Sequence, residues 1–100
     1  MRLVVRGAAE TDIAEAARWY EQRSLGLGSE FLRAVDVALD EIARMPERYP
    51  VVRGRARRAL LRRFPYAVFF VEDPDLIGVI ACMHARRNPR RWQQRSEADL

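Results

Sequence analysis

Two apolar runs with turn signals at both ends constrain this chain more than anything else in it. Ala67-Val68-Phe69-Phe70-Val71 and Leu76-Ile77-Gly78-Val79-Ile80-Ala81-Cys82-Met83 are separated only by the stretch around Asp73-Pro74-Asp75. Short runs of this kind, bounded by Pro, Asp and charged residues, read as strands buried on both faces. A sheet built on them needs a cover on each side. The arginines that flank the runs must then collect at strand ends and on the segment that follows, and that rim reads as the working surface.

The rest of the chain supplies one cover. Leu3-Val4-Val5, closed by Gly7, reads as a first strand. Asp12 followed by Glu15 resembles a capping box, which predicts a helix from about Asp12 to Arg23 with Ile13, Ala16, Ala17 and Tyr20 on one face. Ser24-Leu25-Gly26-Leu27-Gly28 breaks it, and Ser29 is placed to cap a second helix. Phe31, Val35, Ala38, Leu39 and Ile42 form its apolar stripe, and Met45-Pro46 ends it. The short connection predicts an antiparallel helical hairpin. Glu47 to Arg53 reads as a loop. A strand follows from about Ala56 to Leu61, with a register that the pattern leaves open because both faces are half apolar. Arg62-Arg63-Phe64-Pro65 forms a turn, and the strands Tyr66 to Glu72 and Leu76 to about His84 form a hairpin closed at Asp73-Pro74-Asp75. Asn88 is placed to cap a short helix from Pro89 to about Arg95. Two helices cover one face of such a sheet, so the other must be covered by the C-terminal tail or by a second polypeptide.

Composition adds a direction. One hundred residues with 49% hydrophobic content make one domain with a real core. All eighteen basic residues are arginines. From Glu10 to Glu47 nine acids stand against four arginines, whereas from Arg48 to Leu100 twelve arginines stand against five acids. The basic character thus belongs to the second half, which points to a polyanionic or acidic partner there, although GC-rich codon usage also favours Arg over Lys. The single cysteine, Cys82, lies in an apolar run. That excludes a disulfide scaffold and suits a reducing cytoplasm. No stretch is long and apolar enough for a membrane span, nothing has metal-ligand spacing, and no glycine-rich phosphate loop is present, so no cofactor is expected.

Ala17-Arg18-Trp19-Tyr20-Glu21, Phe31, the Met45-Pro46 stop, Arg63-Phe64-Pro65-Tyr66 and His84-Ala85-Arg86-Arg87-Asn88-Pro89 together resemble the toxins of RelE/ParE-type type II toxin–antitoxin pairs. The resemblance spans roughly Leu3 to Trp92 and is closer to the ParE kind. It implies an α+β fold: a helical hairpin on a small antiparallel sheet of three or four strands, order β-α-α-β-β-β with a short C-terminal helix. It implies a cognate antitoxin, a toxin–antitoxin hetero-oligomer, growth inhibition and plasmid stabilisation. Some such toxins poison DNA gyrase and others cut messenger RNA on the ribosome. A non-toxic relic that only binds its antitoxin is a third reading.

The RNA-cutting members tend to carry an Arg just after the residue matched by Tyr66, where this chain has Ala67. Their basic pair on the preceding strand matches Arg58 and Leu60, their second key Arg falls on or near Arg87, and a Tyr near their C-terminus matches Trp92. His84, Arg87 and Arg63 remain as candidates for proton transfer and phosphorane stabilisation. The set is incomplete, which favours gyrase and a non-enzymatic action. Arg57, Arg58, Arg62, Arg63, Tyr66, Arg86, Arg87, Arg90, Arg91 and Trp92 are the candidate contacts to a protein or nucleic-acid partner. The plainer readings are that His84 fixes the strand-to-tail turn, Trp19 and Trp92 pack, and several arginines are solvated charges.

Overall fold

A computed structural model describes residues 2–87 and 89–99, the last four through their backbone alone. Its elements are β1 (Leu3–Val5), α1 (Gly7–Arg23), α2 (Leu27–Arg44), a single 3-10 turn (Pro46–Arg48), β2 (Val51–Arg53), β3 (Ala56–Leu60), β4 (Tyr66–Glu72), β5 (Ile77–His84) and α3 (Pro89–Asp99). The five strands form one mixed sheet in the order β1-β5-β4-β3-β2. β1 runs parallel to β5, with Leu3 opposite Ile77, and the other pairs are antiparallel.

The expected sheet is corrected in two respects. It has five strands, because Val51–Arg53 pairs with the start of β3 instead of looping past it. It is also not wholly antiparallel, because the chain leaves β1 through both helices and reaches β5 only after the hairpins. The register of β3 is now fixed, from Ala56 opposite Val71 to Leu60 opposite Ala67.

The helices begin earlier than the cap signals suggest. α1 starts at Gly7, and its N-cap Arg6 makes no side-chain cap bond; Asp12 lies inside the helix, on its buried face with Ala9 and Ala16. These short side chains let α1 approach β5. α2 starts at Leu27, and its N-cap is Gly26 in the left-handed region (φ 88°), not Ser29. The cap is supplied from α1: the Glu21 carboxylate accepts the N–H groups of Gly26 and Gly28, each at 2.9 Å. A Cβ at Gly28 would sit 2.6 Å from the Ala17 carbonyl oxygen, so the hairpin closes only with glycine there. The expected cap at Asn88 lies outside the described residues.

Both faces of the sheet are covered. Toward the helices, Val68, Phe70, Ile77, Val79 and Cys82 pack on Phe31, Val35, Ala38 and Ile42. On the far face, Ala56, Ala67, Phe69, Val71, Ile80, Ala81 and Met83 form a second cluster with Trp92 of α3. A β-bulge divides β5 between them: Phe69 faces Ala81 and Phe70 faces Val79, so Ile80 is an inserted residue. Ile80 and Ala81 thus both join the far-face cluster, and Cys82 returns to the helix side. The Trp92 ring stacks on Phe69 at 4.4 Å and 12°. The need for a second cover was real, but α3 meets it within the chain. No second polypeptide is required to bury the apolar strands.

Candidate functional site

Folding brings most of the candidate arginines to one end of the sheet. Arg62 and Arg63 lie in the β3–β4 turn, where Arg63 takes a positive φ of 67°. Arg86 and Arg87 follow β5, and the Ala85 N–H donates to the Pro65 carbonyl at 2.9 Å, tying the two turns together. Arg90 and Arg91 are exposed in the first turn of α3. Arg62 pairs with Glu41 at 3.0 Å and Arg63 with Glu30 at 3.9 Å, both well solvated.

Two expected members leave the group. The half-buried Arg57 guanidinium donates to the Tyr49 carbonyl at 2.6 Å and lies 3.9 Å from Glu72, so it braces β3. Arg58 lies opposite Phe69 in the sheet register, and its buried Nε has no partner. Trp92 is likewise a packing residue.

His84 sits at the end of β5 with its ring 5.8 Å from that of Tyr66. Its Nδ1 accepts the Arg86 N–H at 3.2 Å, and its carbonyl lies 3.4 Å from the Arg87 nitrogen. The side chain therefore closes the strand-to-tail turn. Tyr66 belongs to an aromatic cluster with Tyr20, Phe31 and Phe64, at ring separations of 4.9–5.9 Å. Burial pushes the Tyr66 hydroxyl above its ordinary pKa, with Cys82 adding to the rise and Arg87 opposing it. Cys82 itself is pushed up to about 12, by burial first and by the nearby Asp12 carboxylate second. Tyr66, His84, Arg87 and Arg91 line a cleft of about 280 Å³ beside Glu15 and Trp19 of α1. Trp19 is 47% exposed, and the Arg23 guanidinium lies 4.2 Å from its ring centroid.

Sequence reasoning missed the role of the one charged residue that is buried among the described residues. Asp12 is 7% exposed. Its carboxylate accepts the Cys82 N–H at 3.0 Å and takes two guanidinium nitrogens of Arg95. Arg95 also reaches the Ile80 carbonyl at 3.3 Å. These bonds satisfy β5 beyond the reach of β1 and clamp α3 to the sheet. The partners lie 83 residues apart, so no local pattern signals them.

A second missed feature is a cleft of about 340 Å³ between α2 and the end of β3. Val37 (48% exposed) and Leu60 (60% exposed) face it, among Arg33, Arg62 and Arg63. β2 pairs only with Ala56 and Arg57, and the Arg58 N–H goes to Pro50, so the β3 edge at Leu60 is open among the described residues. An exposed Leu in a strand of such alternating charge could have flagged it.

The positions that the resemblance matched to RNA-cutting residues do not form a charged centre. Leu60 stands opposite Ala67, Arg58 opposite Phe69, and Trp92 on Phe69, while Arg87 lies in the cleft beside α1. Among the described residues no three His, Cys, Asp or Glu side chains are placed to hold a metal, and no helix is long and apolar enough to cross a membrane.

The chain matches the family described as the ParE toxin of type II toxin–antitoxin system, parDE, over residues 3–89. It belongs to the ParE toxin family. The fold agrees: a solved chain of the chromosomal ParDE toxin–antitoxin system from P. aeruginosa superposes with a TM-score of 0.65 at 18% identity, covering 84% of this chain and 95% of that one. No curated protein matches. The family match ends at Pro89, where α3 begins.

Proposed function

We propose that this ParE-family toxin acts in the cytoplasm by inhibiting DNA gyrase and is held inactive by a cognate antitoxin. The observation that carries the target is what stands at the positions matched to the RNA-cutting residues. Cleaving RNA requires a group to take the 2′-OH proton and cations to stabilise the phosphorane. At the matched positions this chain places Leu60, Ala67 and a packed Trp92, and the imidazole of His84 spends Nδ1 on a backbone N–H. The arrangement supports a toxin that binds its target instead of one that cuts RNA.

The antitoxin contact fits the cleft between α2 and β3. Its open strand edge offers backbone pairing, Leu60 and Val37 offer apolar anchorage, and Arg33, Arg62 and Arg63 suit an acidic segment. The test is induction of the chain alone and together with its antitoxin. Growth should stop in the first case and recover in the second, with transcripts intact. Cleaved messenger RNA at mapped codons would replace gyrase by the ribosome as target, and unimpaired growth would leave only the antitoxin-binding role. Leu60→Glu should stay toxic and escape rescue.

A further inference from the structure

We infer that the arginine rim is a docking surface for the backbone of duplex DNA, so that the toxin engages the DNA held by gyrase as well as the enzyme. The inference rests on the gyrase reading for its setting and on charge placement for its substance.

Arginines are not spread evenly over the basic half. At the sheet end where β3 starts, each has a partner: Arg55 pairs at the surface with Asp73 at 3.3 Å, and the less exposed Arg57 with Glu72 and the Tyr49 carbonyl. At the opposite end, Arg86, Arg87, Arg90 and Arg91 are exposed and form no ion pair among the described residues. Arg62 and Arg63 join them, with solvated ion pairs that exchange readily for phosphate. Six guanidinium groups thus share one end of the sheet, held there by the Ala85–Pro65 hydrogen bond and by the docking of α3 through Trp92 and Arg95. Arg is the side chain suited to forked contact with phosphate oxygens.

The aromatic groups select duplex over single strands. Single-stranded nucleic acid is gripped largely by stacking bases on exposed rings. Here Trp92 is buried on Phe69, Tyr66 is engaged in the core cluster, and Trp19, although 47% exposed, already carries the Arg23 guanidinium 4.2 Å from its ring centroid. A rim of six arginines beside rings that are buried or already stacked fits a duplex, which presents its backbone and keeps its bases stacked inside.

The test is fluorescence anisotropy of the full chain with a labelled duplex of roughly 20 base pairs, titrated between about 50 and 200 mM salt. Neutralising four phosphates gives a slope of log K against log salt of about −3.6, a roughly 150-fold loss across that range. The combined Arg86→Gln, Arg87→Gln, Arg90→Gln and Arg91→Gln variant, with unchanged circular dichroism, should bind at least about tenfold more weakly and show a shallower slope. Arg55→Gln should bind as the parent does. No duplex binding at the low-salt end, equal binding by the quadruple variant, or a single strand or polyglutamate binding as tightly as the duplex would each overturn the inference. A toxin that inhibits gyrase yet ignores DNA would refute the rim and leave the gyrase reading intact, and binding to DNA with gyrase untouched would do the reverse.

Discussion

Replacing Asp12 by Ala removes the buried carboxylate of α1 and, with it, the clamp on α3. Two groups lose their partner. The Cys82 N–H is buried, and an orphaned donor of that kind costs roughly 1–3 kcal/mol. Breaking a fully buried ion pair costs roughly 3–5 kcal/mol, but the Arg95 side chain is 24% exposed and can turn to water, so its share falls well below that range. A total of about 3 kcal/mol follows, which in a domain of this size lowers the melting temperature by about 15 °C. Asp12→Asn keeps an acceptor for the Cys82 N–H and should recover part of the loss. Arg95→Ala combined with Asp12→Ala should cost less than the sum of the two, with a coupling of about 1 kcal/mol or more. Thermal and urea unfolding followed by tryptophan fluorescence measure all four variants. An Asp12→Ala protein that melts within about 2 °C of the parent, or strictly additive losses, would show that α3 is held by something other than this clamp.

Three further outcomes follow from the packing. Gly28→Ala forces a Cβ against the Ala17 carbonyl and should cost roughly 1–3 kcal/mol by chemical denaturation. Trp92→Ala should destabilise by roughly 3 kcal/mol or more and raise binding of an apolar dye, since it uncovers Phe69 and its neighbours. Cys82 ionises from about 9.0 when unfolded and only near 12 when folded, so above pH 9 the unfolded chain sheds its proton first. Stability that is complete below pH 9 should therefore decline toward pH 12 by up to ~1.4 kcal/mol per pH unit, and a Cys82→Ala variant should lose less across that window. The partly buried hydroxyls of Tyr20, Tyr49 and Tyr66, raised by desolvation, act in the same direction.

What the sequence made legible follows the range of the forces involved. β4 and β5 are visible because the apolar runs Ala67–Val71 and Leu76–Met83 have no other favourable place. The hairpin turns are visible because Pro65 and Pro74 lack donors. β2 was missed because Val51–Arg53 is three residues long and pinned only by its neighbour. The Asp12–Glu15 spacing suggested a cap, whereas the carboxylate answers to a guanidinium at the other end of the chain. The second cover was anticipated as the C-terminal tail or a second polypeptide, and the pattern did not decide between them, since α3 reads as a solvated helix apart from Trp92, whose indole and the Arg95 ion pair dock it. The bulge at Ile80, which decides that both Ile80 and Ala81 join the far-face cluster, leaves no trace in the pattern of apolar residues.

The most direct measurement of the central claim is a gyrase supercoiling assay with the purified toxin, with and without its antitoxin. Inhibition that rises with toxin concentration and is abolished by equimolar antitoxin is the expected result. Full supercoiling in the presence of a large excess of folded toxin would contradict it.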